Sequence, residues 1–462
     1  MKTSHISAFK TIALLGLIFL WLQQCNPEKD NSYQALMDFA NGVKVINTHE
    51  HQHWPEEYGD HTFRITHLFH ASYLMSDIVS AGGERIDFSP LDSLTLEEYW
   101  KVNGEALDYT RNTSYYSHFI KGFQKLYDFD DLYFTESNIH DLSAQVEDHY
   151  SDYRAWFDQS FQKAGFELMF LDQYWKPFNT DVVEQYYALV FHINPLVMHS
   201  SGRPADDENP WGIYERAEED GFTISDLDEY LKYCDYLFTK NIENRAVCVK
   251  NSLAYSRSLD FEDVPYEIAR DLFARPSGSL SSLEAKQIQD YLFHWIIQKS
   301  IAYDLPIQIH TGYLAGNGNT LDNGKPVKLN NLFMRYPEAK FVLFHGGYPW
   351  TGEYAAFGKM FPNVYLDLVW LPQISREEAV HALDEMFDGV PYNKFFWGGD
   401  CGFIEESTGS LEFGKEVVAE VLARRIERGL LTEDVAFDMI QRIFRENAIE
   451  VFLLEERLER VF

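Results

Sequence analysis

The chain has 462 residues, with 39 basic against 72 acidic side chains and a formal net charge of −33. A polyanion without a local basic stripe cannot neutralise phosphates, which excludes general nucleic-acid binding. The hydrophobic fraction of 45% and the aromatic fraction of 16% exclude a disordered chain, and no internal period of about 20–50 residues points to a solenoid or propeller.

The N-terminus reads as an address. Lys2 and Lys10 flank a polar start, and Ile12 to Leu22 is apolar apart from Gly16. That run is shorter than the ~20 residues a bilayer span needs, so the pattern is that of an export signal. Leu22-Gln23-Gln24-Cys25 followed by polar Asn26 resembles a bacterial lipoprotein signal, with Gln23-Gln24 standing where small residues are usual. The resemblance implies that residues 1–24 are removed, that Cys25 becomes the lipidated N-terminus, and that the protein is exported to a bacterial cell envelope. Its contact with the membrane is then through the lipid anchor alone. An ordinary signal peptide or a buried start helix is the alternative. Loss of two lysines and no acid takes the net charge to −35. Cys234, Cys248 and Cys401 remain, without the spacing of a disulfide framework or a CxxC site, and read as buried thiols.

Eight short apolar or β-branched runs follow in order. They are Val43–Thr48, Phe166–Leu171, Ile193–His199, Arg245–Lys250, Pro306–His310, Phe341–His345, Val364–Leu368 and Lys394–Gly398. Helical patterns lie between the later ones. Ser281-Ser282-Leu283-Glu284 has the form of a capping box opening a helix to about Tyr303. Leu329–Tyr336 and Ser375–Phe387 repeat the theme, and the tail from Leu411 reads as further helices with Thr432 as an N-cap. Strands alternating with helices imply parallel pairing through crossovers. Eight of them predict an α/β fold, a closed (β/α)8 TIM barrel, over residues 30–462. Residues 54–165, rich in Tyr, Phe and Trp and carrying a second capping box at Thr95 to Glu98, read as a helical insertion after strand one. It leaves the barrel at the C-terminal end of the strand, where it is placed to roof a pocket. The acidic stretch between Ser200 and Tyr230 reads as a solvated loop.

The chemistry concentrates at strand ends. His49, His51 and His53 alternate along strand one and share a side. Two imidazoles at i and i+2 can close on one divalent ion. His310 ends strand five, His345 ends strand six and strand eight runs into Asp400. Four rims of one barrel would then aim at one volume. His53 reads as a rim residue, His192 is a further histidine near strand three, and Asp367 reads as hydrogen-bonded structure. His199 ends the predicted strand three and would line the pocket. Gly316-Asn317-Gly318-Asn319 lacks the Lys-Ser/Thr of a phosphate cradle and reads as a loop over the site.

This set of strand-end residues resembles the amidohydrolase superfamily of metal-dependent barrels. The phrases His345-Gly346-Gly347-Tyr348-Pro349, Asn363 to Leu368 and Gly398-Gly399-Asp400 resemble its amidohydrolase family 2 branch, which includes hydrolases and nonoxidative decarboxylases. One departure is Asn47, where the family usually has Asp. The resemblance implies His49, His51, His310 and Asp400 as metal ligands. It also implies His345 and Asp400 as catalytic acid/base groups, with His345 alternatively a ligand to a second metal. The ion implied is Zn, with Mn or Fe as alternatives. Lys250 either bridges two metals as a carboxylated lysine or, with Tyr255 and Arg257, binds a small-molecule substrate; the single-metal reading with substrate contacts is favoured. The function implied is hydrolysis of a C–N or ester-like bond of a small molecule. A nonoxidative decarboxylase, a uronate isomerase and a ligand-binding surface lipoprotein are the alternatives.

Overall fold

A computed structural model describes residues 27–57, 59, 61–198 and 212–461. The export signal, Cys25, His199 and residues 200–211 of the acidic stretch lie outside the described residues; the rest of that stretch is not the expected loop but holds a helix, Ile213–Glu219, and the start of another, Leu227–Glu243, whose first turn Asp226 caps. Eight strands form one sheet in chain order: β1 Val45–Glu50, β2 Phe166–Leu171, β3 Tyr187–His192, β4 Cys248–Asn251, β5 Ile307–Ile309, β6 Phe341–Leu343, β7 Val364–Asp367 and β8 Phe395–Phe396. Each adjacent pair is parallel. β8 returns to β1 through Thr48 N–H to Trp397 O (3.2 Å) and Asp400 N–H to His49 O (2.8 Å), which nearly closes the barrel. The strands are buried on both faces, which is why they read as near-continuous apolar runs. The expected (β/α)8 architecture is therefore the observed one.

Three strands differ in position from the sequence reading, one of them strand four, which is Cys248–Asn251 rather than Arg245–Lys250. β1 lies two residues later, so His49 and Glu50 belong to it. Strand three is not Ile193–His199: β3 is Tyr187–His192, and Asn194–Met198 is a short helix. Pro195 is the physical reason. It has no N–H for a ladder with neighbours on both sides, and its fixed φ suits a first helical turn. The rim residue of β3 is consequently His192, which pairs with Lys250 of β4.

Before β1 runs α1, Pro27–Gly42. The insertion after β1 is helical: α2 Ile65–Ala71, α3 Leu74–Ser80, α4 Phe88–Ser93, α5 Leu96–Tyr109, α6 Ser114–Leu126 and α7 Ile139–Ser151, with α8 Tyr153–Ala164 leading into β2. Thr95 and Glu98 form the capping box of α5, and Ser281 and Glu284 that of the helix Ser282–Ala302. Phe69, Phe119, Phe123 and Phe134 are fully buried, with Phe119–Phe123 centroids at 5.1 Å and Phe69–Phe134 at 5.2 Å. Each such ring contributes about 1.5–3 kcal/mol on burial, so the aromatic richness of this stretch is the insertion's own core.

The insertion is fastened to the barrel behind β8. α6 crosses the helix Ile404–Glu427 at a glycine contact: a Cβ on Gly122 would strike the Glu405 carbonyl, and one on Gly409 the His118 carbonyl. Inside that junction the buried Glu405 carboxylate accepts from Tyr127 Oη (2.6 Å), Trp156 Nε1 (2.8 Å) and Tyr150 Oη (3.1 Å). The tail continues as Glu433–Gln441, Asn447–Phe452 and Glu455–Val461. Thr432 stands at the N-cap of the first of these without a side-chain bond. Cys234, Cys248 and Cys401 are buried and unbridged. Among the described residues, no helix is long and apolar enough to cross a membrane.

Candidate metal centre and active site

At the C-terminal end of β1, His49 Nε2 lies 3.2 Å from His51 Nε2. Asp400, in the turn after β8, places Oδ1 3.3 Å from the first and 3.1 Å from the second. These three are the one group of convergent ligand atoms among the described residues. His51 Nδ1 lies 2.9 Å from the Asp172 carbonyl oxygen. A carbonyl only accepts, so Nδ1 carries the proton and Nε2 presents its lone pair to the triad.

The electrostatics also suit a cation. Burial, then the charge of Lys250, holds His49 down to about 3. Burial would lower His51 as well, but Asp400 and Asp172 raise it above its ordinary value. Burial pushes Asp400 up, yet its bonds to His49 and His51 hold it well below the usual carboxylate range. An ionised carboxylate facing the Nε2 atoms of two imidazoles is a donor set suited to a divalent transition metal.

The structure does not gather His310 into that triad. Its Nε2 lies 2.7 Å from the Tyr313 carbonyl and its Nδ1 lies 2.9 Å from His345 Nε2. His345 Nδ1 in turn meets the Val369 carbonyl at 3.1 Å. Both carbonyls require a ring N–H, so His310 Nδ1 and His345 Nε2 confront each other as lone pairs, joined only by a shared proton or a cation. Burial holds His345 down to about 4 and His310 well below its ordinary value, which disfavours the proton. His345 has φ 66° and is followed by Gly346 at 59° and Gly347 at 62°. A Cβ at Gly346 would strike Leu371, so this left-handed turn needs its glycines.

A cavity of about 870 Å³ opens over the triad, with His51, Asp400 and His310 at its floor. Lys250 lines it, buried, with Nζ 3.4 Å from His49 Nε2 and 4.7 Å from the Phe344 ring centre; burial lowers its pKa. Tyr255 lines it from the loop after β4, its ring edge-on to His310 at 4.9 Å, and Tyr174 stands edge-on to His51 at 5.0 Å. Gly316 and Asn317 cover it, and Asn317 Nδ2 donates to Ser76 O of the insertion (3.2 Å). The insertion also reaches the site through Tyr73, whose Oη donates to Asp400 O (2.6 Å).

Arg257 is not brought to the cavity. Its guanidinium meets Asp290 Oδ1 (2.6 Å), Gln289 Oε1 (3.1 Å) and the Asp260 carbonyl (2.8 Å), and stacks on Phe261. The buried Asp290 claims its charge. His53 stacks on Trp175 at the rim (3.6 Å), as expected of a rim residue. Asp367 accepts from Thr48 Oγ1 (2.6 Å) and Val369 N–H (3.0 Å), as expected of a structural acid, with burial raising it to about 7. Sequence reasoning misses Asp172, which follows β2, lines the cavity and holds His192 Nδ1 at 3.0 Å. The signal was present: a polar residue closing the apolar run Phe166–Leu171, as His310 closes its own.

Residues 278–454 match the family model described as amidohydrolase. Protein fluG of Emericella nidulans is 29% identical over 206 residues, which is 43% of this chain and 24% of that protein, so the chain spans about a quarter of that relative. Uronate isomerase from Thermotoga maritima superimposes with a TM-score of 0.76 at 14% identity, over 91% of this chain and 97% of that one. Glucuronate isomerase from Caulobacter crescentus gives 0.74 at 15%, over 93% and 95%. At such identities the likeness is one of fold. The matched span holds β5 to β8 with His310, His345 and Asp400, while His49 and His51 lie before it. The solved structures share the barrel fold over nearly the whole chain, and the amidohydrolase match is confined to its second half.

Proposed function

We propose that this barrel is a metal-dependent hydrolase that cleaves a C–N or ester-like bond of a small molecule. The observation that carries the reading is the convergence of His49 Nε2, His51 Nε2 and Asp400 Oδ1, the last two of which line the cavity. The three would hold one divalent ion, Zn before Mn or Fe. When bound, such an ion lowers the pKa of a coordinated water towards about 7 and polarises a carbonyl. Asp400 Oδ1 faces the histidines, which leaves Oδ2 to take a proton from the attacking water. Lys250 Nζ, on the wall above His49, donates to the oxygen that gains charge. Tyr174 and Tyr255 hold the substrate against their partly exposed faces. His345 acts on the cavity through His310.

The test is incubation of the metal-loaded protein with N-acyl amino acids, lactones and aryl esters in ¹⁸O-water. One ¹⁸O in the released acid supports hydrolysis; no cleavage of any of them counts against it.

A second reading is aldose–ketose isomerisation of a sugar acid. It is favoured by the fold coverage above 90% shared with two uronate isomerases. Conversion of hexuronates without incorporation of solvent oxygen at an acyl centre would select it. The export and lipid anchoring read from residues 1–25 are part of the proposal, and mass spectrometry of the mature N-terminus checks them: a diacylglyceryl mass on Cys25 is expected.

A further inference from the structure

Asp400 carries its carboxylate from an unfavourable backbone. Its φ is 60°, in the left-handed region that non-glycine residues rarely adopt. What holds it there is β1. The three consecutive amides of the turn each donate to a β1 residue: Gly399 N–H to Asn47 Oδ1 (2.9 Å), Asp400 N–H to His49 O (2.8 Å) and Cys401 N–H to Glu50 Oε2 (2.7 Å). The ladder continues outward with His51 N–H to Cys401 O (2.9 Å).

Two of those acceptors are side chains, and they are tied together. Asn47 Nδ2 donates to Glu50 Oε1, and Asn47 Oδ1 also receives His49 N–H at 3.3 Å. Glu50 Oε2 further accepts from Gln52 Nε2 (3.2 Å), which also donates to Ser407 Oγ (2.8 Å). Both residues are fully buried. The fit leaves no room for a side chain at position 399, where a Cβ would strike Glu50 Oε1.

We propose that Glu50, together with Asn47, is a positioning residue of the metal triad. It clamps the backbone of Gly399 to Cys401, so that the Asp400 carboxylate meets His49 and His51, and it thereby sets the affinity for a divalent cation. The inference rests on the metal reading of that site but on no particular reaction. It also gives the departure at Asn47 a use: the amide shares one oxygen between the two ligand-bearing segments, and the carboxylate of the network stands at Glu50. Removing the clamp lets the turn relax towards right-handed backbone and carries Asp400 away from the imidazoles.

The experiment measures Co²⁺ affinity of the full-length protein by competition with a chromogenic chelator, and the Co²⁺ d–d absorption band, for the parent, Glu50→Gln and Asn47→Asp. A Gln amide cannot accept from Cys401, Asn47 and Gln52 at once, and an Asp at position 47 sets carboxylate against carboxylate. Both variants are expected to bind about 10- to 100-fold more weakly, with an altered band and parental far-UV circular dichroism. Should Glu50→Gln fail to fold, Asn47→Asp decides. Parental affinity and band in the folded variants overturn the inference while leaving the metal reading intact. A parent that binds no divalent cation overturns both.

Discussion

His51 Nε2 lies 3.1 Å from Asp400 Oδ1 across the seam where the first strand meets the turn after the last. Only closure of the sheet brings the two together, so the chemistry of the site depends on the fold being complete. Asp400 is at once a member of the triad and the residue whose backbone N–H bonds to His49 of β1 across the seam. Positioning and closure are therefore one set of hydrogen bonds.

Asp400→Asn tests the chemical half of that statement. It keeps the shape and removes the charge that faces His49 and His51. Turnover of a substrate found among the amides and esters is expected to fall by at least about 100-fold, with KM changed only a few-fold. A larger effect on KM than on kcat contradicts the role.

The fold was largely legible in the sequence, for a physical reason. Strands buried on both faces must be apolar, so their ends stand out wherever a His or Asp interrupts them, as at His310, His345 and Asp400. The aromatic insertion was visible because it needs its own core. Strand three was misplaced because Ile193 to Met198 is as apolar as a strand, and only Pro195 distinguishes it. What pairing alone decides was not legible. Arg257 looked like an anion contact until the buried Asp290 claimed it. Glu50, between two histidines, gave no sign that it turns towards the backbone of residue 401.

Arg257→Gln follows from that pairing. It leaves Asp290, which is fully buried, with Lys286 as its remaining cation at 2.6 Å. Stability is expected to fall by about 3 kcal/mol, read as a lower urea midpoint, with KM unchanged. A raised KM at parental stability contradicts the assignment.

Gly122→Ala probes the attachment of the insertion. The added methyl meets the Glu405 carbonyl at the crossing of α6 with the helix Ile404–Glu427. The expected loss is about 1–3 kcal/mol, read as a lower Tm, with metal content unchanged because the triad is untouched. An unchanged Tm contradicts the close contact.

The metal-free protein should be acid-sensitive. Burial is the largest cause that holds His53, His67, His70 and His345 down to about 4 from an ordinary 6.5. Between these values the unfolded chain binds protons that the folded one refuses, so stability is full above about pH 6.5 and falls as the pH drops towards 4. Each pKa unit is worth at most about 1.4 kcal/mol per group. Tm measured in steps from pH 7 to pH 4 is expected to decline throughout that window; a flat profile contradicts the burial of these rings.

Elemental analysis of the purified mature protein tests the central claim most directly. The account predicts one equivalent or more of a divalent transition metal per chain, lost in His51→Ala. A second equivalent would favour the alternative in which Lys250 is carboxylated and bridges two ions. A folded protein that carries no stoichiometric metal, and takes up none of Zn, Mn or Fe on incubation, would contradict it.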